Sequence, residues 1–483
     1  MKNILLWLCP VFLFLSGNTV WAETGTATVR EYRMAWILTY NEDIKSGESI
    51  RKSVEEARKT GLNALLPIAH RRGRAYYNSS FLPVYNPGNI SPPLDTLQAF
   101  IDAAHDTSEG KAYIEIHPWV VLFPVWLDDY DPPEKHIAAL HPQWATRKYG
   151  EEPESSGRKP RIWLDPGVPG VCDYFVEVCR EIVSRYDVDG LNLDYIRYYE
   201  GGHGYNPIAL ERFRKRYGRT NTPEPGDARW QEWQREQITN LVRRIYVETK
   251  MIKPRLKLSI CSIVWGNPDK PFPESAFYSR VMQDWPSWFQ EGIADINLPM
   301  NYRSEEDPQR YRDFRSWARI CRKNSAGRLF VNGLGNYLNT ISGSIAQIRA
   351  GKRAGADGSC LFRFGVNNSE NKPYGTLLEA LAGGTCHVAA SPPGCPWLEN
   401  PQTGMIRGFV KKEDGSRPVD GIKITLKGGV EKIRHTDGSG YFAFVGVAPG
   451  EYQVAVTAPG EGREEKRGVN VQKGRISSVD IDL

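Results

Sequence analysis

The sequence lacks the signatures of several large classes of protein. No GxGxxG or P-loop motif follows its first predicted strand, which argues against a nucleotide-binding fold. No block of Lys and Arg stands out, and a net charge of +5 over 483 residues is too small to indicate a nucleic-acid partner. The histidines form no HExxH motif, and no pair of cysteines has zinc-site spacing. We therefore expect no metal, no cofactor and no nucleic acid.

Long apolar runs are also missing, except at the amino terminus. There Lys2 precedes an apolar segment, residues 4–15, that is too short to span a bilayer, and Val20-Trp21-Ala22 forms an acceptable cleavage triplet. We expect residues 1–22 to be a signal peptide. The mature protein is then exported to the periplasm, the cell surface or the medium, and it has no transmembrane segment.

Cysteine is scarce after the expected cleavage. Cys9 is one of eight cysteines and lies in the signal segment, so seven remain, and an odd number leaves a free thiol or an intermolecular bridge. Cys386 and Cys395 flank a segment rich in Pro and Gly, which makes them the best candidates for a disulfide bridge within the chain.

Aromatic residues, in contrast, are abundant, with 14 Trp and 23 Tyr. Their rings can stack on the apolar faces of sugars while their polar ends form hydrogen bonds. The same residues also fill a large core, so the aromatic content is compatible with carbohydrate binding without requiring it.

Strand-like and helix-like segments alternate from residue 33 to about residue 381. Residues 168–186 are typical of the helices, because Pro169 suits a first turn and an apolar stripe runs from Val171 to Ile182. Predicted strands lie at residues 33–41, 63–69, 111–121, 189–197, 257–264, 296–302, 329–334 and 358–364. Repeated strand-then-helix units with right-handed crossovers predict a (β/α)₈ TIM barrel over residues 23–382.

The carboxyl-terminal part of the sequence no longer alternates strand-like and helix-like segments. Residues 383–403 are rich in Pro and Gly and are expected to be a linker. Residues 404–483 contain short alternating segments separated by turns such as Asp437-Gly438-Ser439-Gly440, which predicts a small all-β sandwich. Its predicted strands are residues 404–410, 422–427, 441–445, 452–457 and 477–483.

Several predicted barrel strands carry polar and aromatic residues near their carboxyl ends, where (β/α)₈ enzymes place their active sites. Period-two alternation puts Asn192 and Asp194 on one face of the fourth strand. Such residues need a partner or a function, because burying an unpaired polar group is costly. Besides Asp194, the candidate substrate-binding residues are Arg71, His117, Trp119, Asn192, Tyr195, Arg197, Trp265, Asn301, Tyr302 and Arg363.

The fourth strand, residues 188–198 (VDGLNLDYIRY), resembles the signature strand of the glycosyl hydrolase-like 10 family. The motifs Gly61-Leu62-Asn63, Trp163-Leu164-Asp165-Pro166-Gly167, Leu298-Pro299-Met300-Asn301-Tyr302 and Gly355-Ala356-Asp357-Gly358 fit the same family in the same order. The resemblance spans about residues 30–381. The tail resembles the carboxypeptidase regulatory-like sandwich, which usually serves as a non-catalytic appendage.

The resemblance implies a function. Members of the family are bacterial (β/α)₈ proteins, often exported, and some act on the glycan strands of peptidoglycan. The family pattern implies that Asp194 is the catalytic carboxylate, and we expect Asn192, Tyr195, Arg197 and Asn301 to position it and the sugar. The strand is also similar to that of chitinase-like enzymes, although Ile196 stands where those enzymes carry an acid.

A second carboxylate is the usual partner in glycoside cleavage, about 5–10 Å from the first. The sequence does not single it out. The candidates are Glu115, Asp128, Asp129, Glu200, Asp269, Glu274, Glu305 and Glu306.

The leading hypothesis is an exported glycoside hydrolase that cleaves O-glycosidic bonds of a polysaccharide, with peptidoglycan glycan strands as one candidate substrate. The alternative is a non-catalytic carbohydrate-binding or cell-surface protein on a barrel scaffold. Cleavage of another bond, such as an amide, would need a metal or a nucleophile dyad that the sequence does not show. Structural roles also stay open: Asp194 could pair with Arg197 or Arg71, and His117 could be a core histidine.

Overall fold

The computed structural model describes eight ranges of the chain. They are residues 29–39, 46–86, 93–127, 131–151, 161–412, 419–429, 431–457 and 464–483. The expected signal peptide lies outside the described residues, and so do the candidate acids Asp128 and Asp129.

Eight parallel strands close into a barrel. They are β1 Tyr32–Ile37, β2 Ala64–Arg71, β3 Trp119–Val121, β4 Gly190–Asp194, β5 Lys257–Ser262, β6 Ile296–Pro299, β7 Leu329–Gly335 and β8 Gly358–Phe362. Each strand pairs with the next, and β8 pairs with β1 to complete the circle. The predicted (β/α)₈ fold is confirmed. All eight predicted strands are present, although most end a few residues earlier than the sequence pattern suggested.

Helices connect most of the strands and cover the outside of the barrel. They are α1 Gly47–Thr60, α2 Thr96–His105, α3 Pro169–Arg185, α4 Pro207–Tyr217, α5 Ala228–Ile252, α6 Trp285–Glu291, α7 Pro308–Asn324, α8 Ile341–Arg353 and α9 Tyr374–Gly383, with four-residue helices at Ile137–Leu140, Ala276–Ser279 and Pro396–Glu399. In α3, Pro169 occupies the first turn and the stripe through Val171 and Phe175 is buried, as predicted. Within the described ranges, no helix is both long and apolar enough to cross a membrane.

Side chains fill the interior of the barrel. Tyr32, Met34 and Trp36 alternate inward along β1, with Trp36 nearest the carboxyl ends of the strands. The amino-terminal end of the interior is polar. There the Lys257 ammonium lies 2.5 Å from Glu115 Oε1, and the Tyr32 hydroxyl donates a hydrogen bond of 2.8 Å to Glu115 Oε2.

The segment after α9 closes this amino-terminal end. Cys395 is buried among the interior side chains. Trp397, in the helix Pro396–Glu399, donates a hydrogen bond of 2.7 Å to Asp295, and the Arg328 guanidinium lies 4.4 Å from its ring. The expected linker is therefore packed against the barrel along this part of its length.

The predicted disulfide between Cys386 and Cys395 is wrong, because both residues are free thiols. The two ends of the segment are held by separate contacts. Cys395 packs into the barrel interior, whereas the carbonyl of Cys386 accepts a hydrogen bond of 3.1 Å from Arg33.

Residues 404–483 form two small sheets that pack face to face. Their strands are β9 Gly404–Lys411, β10 Lys423–Lys427, β11 Lys432–His435, β12 Tyr441–Val447, β13 Gly450–Thr457, β14 Glu464–Val471, β15 Ile476–Ser478 and β16 Ile481–Asp482. One sheet contains β9, β12, β15 and β16, and the other has the order β11-β10-β13-β14. The predicted β-sandwich is confirmed. The sequence missed β11 and β14 because both are mostly polar, without a clear apolar alternation.

The sandwich is docked on the barrel helices through ion pairs. Arg212 of α4 donates two hydrogen bonds to Asp420, of 2.7 and 2.8 Å. Arg244 of α5 lies 3.3 Å from Asp437, which is buried. Tyr441 belongs to the same apolar cluster as the barrel helices. The two parts thus share an interface that is both polar and apolar.

Candidate active site

Asp194 is the last residue of β4 and lies at the carboxyl-terminal mouth of the barrel, with 3% of its surface exposed. The backbone N–H of Tyr195 donates a hydrogen bond of 2.7 Å to Oδ1, and the indole N–H of Trp119 donates one of 3.1 Å to Oδ2. Among the described residues, each carboxylate oxygen therefore has one donor and can still take part in another hydrogen bond.

Burial raises the pKa of Asp194 to about 6, because desolvation penalises the charged form. The Tyr195 N–H, the charge of Arg197 and the Trp119 N–H all oppose that shift. Among the described residues, no second carboxylate contributes to it. A carboxyl group that keeps its proton up to about pH 6 has the property that a general acid needs.

Arg197 lies among three aromatic rings. Its guanidinium carbon is 4.8 Å from the ring centre of Tyr195, 5.2 Å from that of Trp163 and 5.0 Å from that of Trp265. It forms no direct ion pair with Asp194 in the described part of the chain, so it acts on the carboxylate through space. The alternative in which Asp194 serves only as a partner for Arg197 is not supported by this geometry.

The chain turns sharply directly after Asp194. Tyr195 has a left-handed backbone with φ of 53°, which is uncommon for a residue with a Cβ atom. Burial raises the pKa of Tyr195, and the charges of Arg197 and Arg71 oppose the shift. Arg71 ends β2, so two strands bring positive charge to the Tyr195 hydroxyl.

A group of aromatic rings lines the mouth. The ring centres of Trp36 and Trp119 are 6.4 Å apart, and those of Trp36 and Tyr302 are 6.3 Å apart. Tyr302 stacks on Phe362 at 4.8 Å, and Tyr337, which is 39% exposed, lies 6.2 Å from Phe362. Trp36 and Trp119 are buried, whereas Tyr302 is partly exposed and, like Tyr337, can offer a ring face to a sugar.

Asn192 lies one layer below Asp194. It is fully buried, its Oδ1 accepts a hydrogen bond of 3.0 Å from the Trp36 indole, and its Nδ2 donates one of 2.9 Å to Ser259. The amide thus links β1, β4 and β5 and orients Trp36 beneath the mouth.

His117 does not join these residues, and its expected place at the carboxyl ends of the strands is wrong. Its Nε2 lies 2.9 Å from Glu115 in the amino-terminal cluster. It stands beside Gly190, the first residue of β4, where an added Cβ would come within 2.4 Å of Nδ1. The prediction failed because β3 begins only at Trp119, two residues after His117, so His117 comes before the part of the chain that reaches the mouth.

Asn301 is also placed elsewhere, on the outer side of the barrel. Its Nδ2 donates a hydrogen bond of 2.9 Å to the carbonyl of Phe314 in α7, and its Oδ1 accepts one of 2.6 Å from Arg303. The interior residues of β6 include Leu298, so alternation turns Tyr302 inward and Asn301 outward. The expectation that Asn301 binds sugar is therefore not supported by its position.

Arg363 follows Phe362 at the end of β8. Its carbonyl accepts a hydrogen bond of 3.4 Å from Asn336, and its Nη1 is buried with no hydrogen-bond partner among the described residues. It stays a candidate for contact with a ligand.

Asp165 is a second buried carboxyl on the same side of the barrel, and burial raises its pKa to about 6. Its Oδ1 accepts a hydrogen bond of 2.8 Å from the Gly167 N–H, and its Oδ2 accepts bonds of 3.0 Å from Thr146 and 3.3 Å from the Asn206 N–H. It holds three loops together, which explains its burial without a catalytic role.

Three of the other candidate acids have partners of their own. Glu115 lies in the amino-terminal cluster, and Glu200 forms an ion pair with Arg280. Glu305 accepts hydrogen bonds of 3.0 and 2.7 Å from the N–H and hydroxyl of Thr340, at the start of α8. Among the described residues, no group of three or more His, Cys, Asp or Glu is arranged to hold a metal ion.

Sequence reasoning missed several aromatic residues of the mouth. Trp163 lies 4.6 Å from Tyr199, which is 36% exposed, and 5.5 Å from Tyr195. The signal for Trp163 was available, because it begins the motif Trp163-Leu164-Asp165-Pro166-Gly167, which directly precedes α3. The alternation of inward and outward side chains along β1 and β8 could have identified Trp36 and Phe362 as inward residues near the carboxyl ends of these strands.

Comparisons with known proteins bear on the family and the fold. The profile of the glycosyl hydrolase-like 10 family matches residues 31–339, and that of the carboxypeptidase regulatory-like domain matches residues 405–483. The chain is 26% identical to the glycosyl hydrolase YngK of Bacillus subtilis (strain 168), over 63% of this chain and 60% of that protein. It is 26% identical to the glycosyl hydrolase DigH of Escherichia coli (strain K12), over 58% of this chain and 63% of that protein.

A solved structure supports the fold. The glycoside hydrolase domain of PgaB (BpsB) from Bordetella bronchiseptica superposes with a TM-score of 0.53 and 12% identity, covering 73% of this chain and 98% of that domain. At this identity the likeness bears on the barrel alone. The chain spans less than two thirds of the length of the two named relatives.

Proposed function

Because the chain belongs to the glycosyl hydrolase-like 10 family, we propose that it is a glycoside hydrolase in which Asp194 is the proton donor. The observation that carries the proposal is the buried carboxyl at the end of β4, with a pKa of about 6, facing a mouth lined with aromatic rings. A protonated carboxyl of this kind can donate its proton to the oxygen of a glycosidic bond as the bond breaks.

The surrounding residues have separate roles in this proposal. Trp119 and the Tyr195 N–H fix the carboxyl group, each through one of its oxygens. Tyr302 and the exposed Tyr337 offer ring faces to the sugar. The reaction adds one water across the glycosidic bond. Asp194 gives its proton to the leaving oxygen, the anomeric carbon receives the hydroxyl of water, and the remaining proton restores Asp194.

The proposed substrate is a polysaccharide, with the glycan strands of peptidoglycan as the first candidate. The aromatic mouth supports a glycan, and the charges of Arg71 and Arg197 near Tyr195 are suited to substituents that carry carboxylates. We further propose that the protein acts outside the cytoplasm, since residues 1–22 have the pattern of a signal peptide.

A second candidate function is carbohydrate binding without cleavage. It is favoured by one observation, the absence of a second carboxylate acting on Asp194 among the described residues. Most glycosidases use two carboxyl groups.

Release of new reducing ends from a panel of polysaccharides, including peptide-free cell-wall glycan, separates the two functions. We expect product from the wild type and from Asp482→Asn, which changes an exposed carboxylate of the sandwich, but none from Asp194→Asn. Glycan binding without product from any of the three proteins would contradict the hydrolase and leave the binding protein. Equal product from all three would contradict the role of Asp194.

A further inference from the structure

Arg197 is a buried cation that has no anionic partner among the described residues. Only 8% of its surface is exposed. Its one hydrogen bond within the described ranges runs from Nη1 to the carbonyl of Tyr198, at 3.3 Å, and it forms no ion pair there with a carboxylate. Charged side chains are rarely buried to this extent without a partner, so the position of Arg197 needs a reason.

Three aromatic rings surround the guanidinium of Arg197. The ring centres of Tyr195, Trp265 and Trp163 lie 4.8, 5.0 and 5.2 Å from its central carbon. Contacts of a cation with aromatic rings offset part of the cost of burying the charge, but they use none of its N–H donors. The rings therefore hold the guanidinium in one place and leave its hydrogen-bonding capacity for another group.

Most N–H donors of Arg197 are free and accessible. A guanidinium group has five such donors, and the carbonyl of Tyr198 accepts from only one of its nitrogens. Nε and Nη2 have no partner in the described part of the chain, and they are not among its fully buried polar atoms, so both keep accessible surface. In this they differ from Nη1 of Arg363, which is fully buried. A ligand can reach Nε and Nη2 together.

The guanidinium stands beside the catalytic mouth. The backbone N–H of Arg197 donates a hydrogen bond of 2.9 Å to the carbonyl of Tyr195, within the sharp turn that follows Asp194. The charge of Arg197 is close enough to oppose the rise in the pKa of Asp194 that burial causes. Arg71, at the end of β2, brings a second positive charge near the Tyr195 hydroxyl. This side of the mouth is therefore positive.

A ligand with a carboxylate supplies the partner that Arg197 lacks. Asp194 does not supply it, because a proton donor is neutral in its reactive form. A carboxylate matches the edge of a guanidinium with two parallel N–H···O hydrogen bonds. We propose that Arg197 anchors an anionic subsite, which binds the carboxylate of a sugar next to the bond that is cleaved. The inference rests on the proposed function, because it takes Asp194 as the point of cleavage.

Two kinds of sugar carry a carboxylate. In the glycan strands of peptidoglycan it belongs to a lactyl group that is linked to the sugar through an ether, whereas in a uronic acid it is attached to the sugar ring. Both present the same planar anion to a guanidinium. The experiment therefore includes one glycan of each kind.

Calorimetric binding to Asp194→Asn, in the full-length mature chain, tests the subsite without turnover, since the amide is neutral like the protonated acid. The probes are soluble fragments of peptide-free cell-wall glycan and of a glycan that contains glucuronic acid. Each is used before and after chemical reduction of its carboxylates to alcohols, which removes the charge and keeps the sugar chain.

Three further substitutions are added to this parent. Arg197→Met removes the charge and keeps a flexible apolar side chain among the rings, and Arg197→Lys keeps the charge but loses the paired donors. The matched control is Arg235→Met. Arg235 of α5 also donates a hydrogen bond to a carbonyl, that of Tyr278 at 3.2 Å, and lies 3.9 Å from its ring, but it is not part of the mouth.

We expect the parent to bind a carboxylated glycan about 30-fold more tightly than its reduced form, the effect of charge-assisted hydrogen bonds. The glycan with the larger preference identifies the sugar. Arg197→Met should abolish the preference, Arg197→Lys should keep part of it, and Arg235→Met should keep all of it. Comparison of native and reduced glycans in the parent tests the subsite even if Arg197→Met does not fold.

Four results would overturn the subsite. They are equal affinity of the parent for the native and reduced forms of both glycans, a full preference that survives in Arg197→Met, a loss of preference that Arg235→Met shares, and no binding of any glycan.

Failure of the subsite is distinguishable from failure of the proposed function. Wild-type protein that releases no reducing ends, while the parent shows a preference that depends on Arg197, keeps the anionic subsite and contradicts the hydrolase. Wild-type protein that cleaves native and reduced glycan equally well, without a preference in binding, keeps the hydrolase and contradicts the subsite.

Discussion

The indole N–H of Trp119 lies 3.1 Å from Oδ2 of Asp194 and donates a hydrogen bond to it. The two residues belong to neighbouring strands, and in the register of β3 and β4 Trp119 stands beside Asn192, two residues before the acid. The orientation of the carboxyl group is therefore set from one layer below, by a ring that also forms part of the aromatic mouth.

Trp119→Phe should remove this hydrogen bond while keeping an aromatic ring in place. Because the bond favours the ionised carboxylate, its loss raises the pKa of Asp194 further. We expect the alkaline limb of the activity profile to move to higher pH, and kcat/KM at pH 6 to fall about tenfold through poorer orientation of the acid. If the alkaline limb of the variant has the same midpoint pH as that of the wild type, Trp119 does not act on the proton donor. Trp144→Phe, outside the mouth, is the control.

Asp194→Asn should make the protein more stable at neutral pH. The raised pKa means that folding disfavours the ionised carboxylate, so the wild type loses stability as pH rises from about 4 to about 6. Urea unfolding should show the variant more stable by about 2 kcal/mol at pH 7.5 and equal to the wild type near pH 4. If the difference in the free energy of unfolding is the same at both pH values, the raised pKa of Asp194 is contradicted.

Lys257→Met should destabilise the amino-terminal end of the barrel. Burial raises the pKa of Glu115, but hydrogen bonds and charge from His117 and Lys257 outweigh it and hold the pKa at about 2. The stability from this lowered pKa is present above about pH 4.5 and is lost as pH falls toward 2. At pH 7 we expect a loss of about 3 kcal/mol, because the buried carboxylate keeps only part of its support.

The double variant Lys257→Met with Glu115→Gln should recover part of that loss, since it removes the charge left behind. Urea unfolding of the two variants and the wild type measures both effects. A loss below about 0.5 kcal/mol in the single variant would mean that the pair behaves like an exposed one.

Asp420→Asn should weaken the docking of the sandwich on the barrel. Asp420 accepts two hydrogen bonds from the Arg212 guanidinium, and the amide that replaces it cannot accept both with equal strength. We expect the free energy of unfolding to fall by about 1–2 kcal/mol. Asp482→Asn, at an exposed position of β16, should have no measurable effect. Equal stability of both variants would show that this ion pair contributes nothing to docking.

We expect truncation of the chain before residue 404 to leave barrel activity intact on soluble oligosaccharides, because the tail resembles a module that is usually non-catalytic. The structure adds a condition to it. Removal of the sandwich exposes Arg244, which is buried, and the apolar side chains of the barrel helices that share a cluster with Tyr441. A truncated barrel should therefore melt at a lower temperature than the full chain.

The fold could be predicted because it rests on local patterns. Eight apolar strand segments alternate with amphipathic helices, and no strand of the barrel extends more than two residues beyond its predicted segment. The polar strands β11 and β14 escaped because they carry little apolar alternation, the signal on which strand prediction depends.

The positions of site residues could be predicted within a single strand, but not between strands. Asn192 and Asp194 share a face of β4 by alternation, and both point into the barrel as expected. The position of a residue along the barrel axis was harder to infer. His117 was expected at the carboxyl-terminal mouth but lies at the amino-terminal end of the barrel. The predicted direction of the Asn301 side chain was wrong. A shift of one residue in the alternation moves every side chain of a strand to the opposite face, and here it places Asn301 outside the barrel.

The contact between Tyr205 and Trp230 could not be predicted, because it joins distant parts of the chain. Tyr205 and Trp230 are 25 positions apart in the printed sequence, and only the folded loop brings the hydroxyl near the indole. No local pattern marks such a pair.

The pH dependence of reducing-end release from peptide-free cell-wall glycan tests the central claim most directly. If Asp194 is the proton donor, kcat/KM of the wild type should be high at pH 5 and fall with a midpoint near pH 6, while Asp194→Asn shows no activity at any pH. Activity that rises through pH 6 in the wild type, or that persists in Asp194→Asn, would contradict the account.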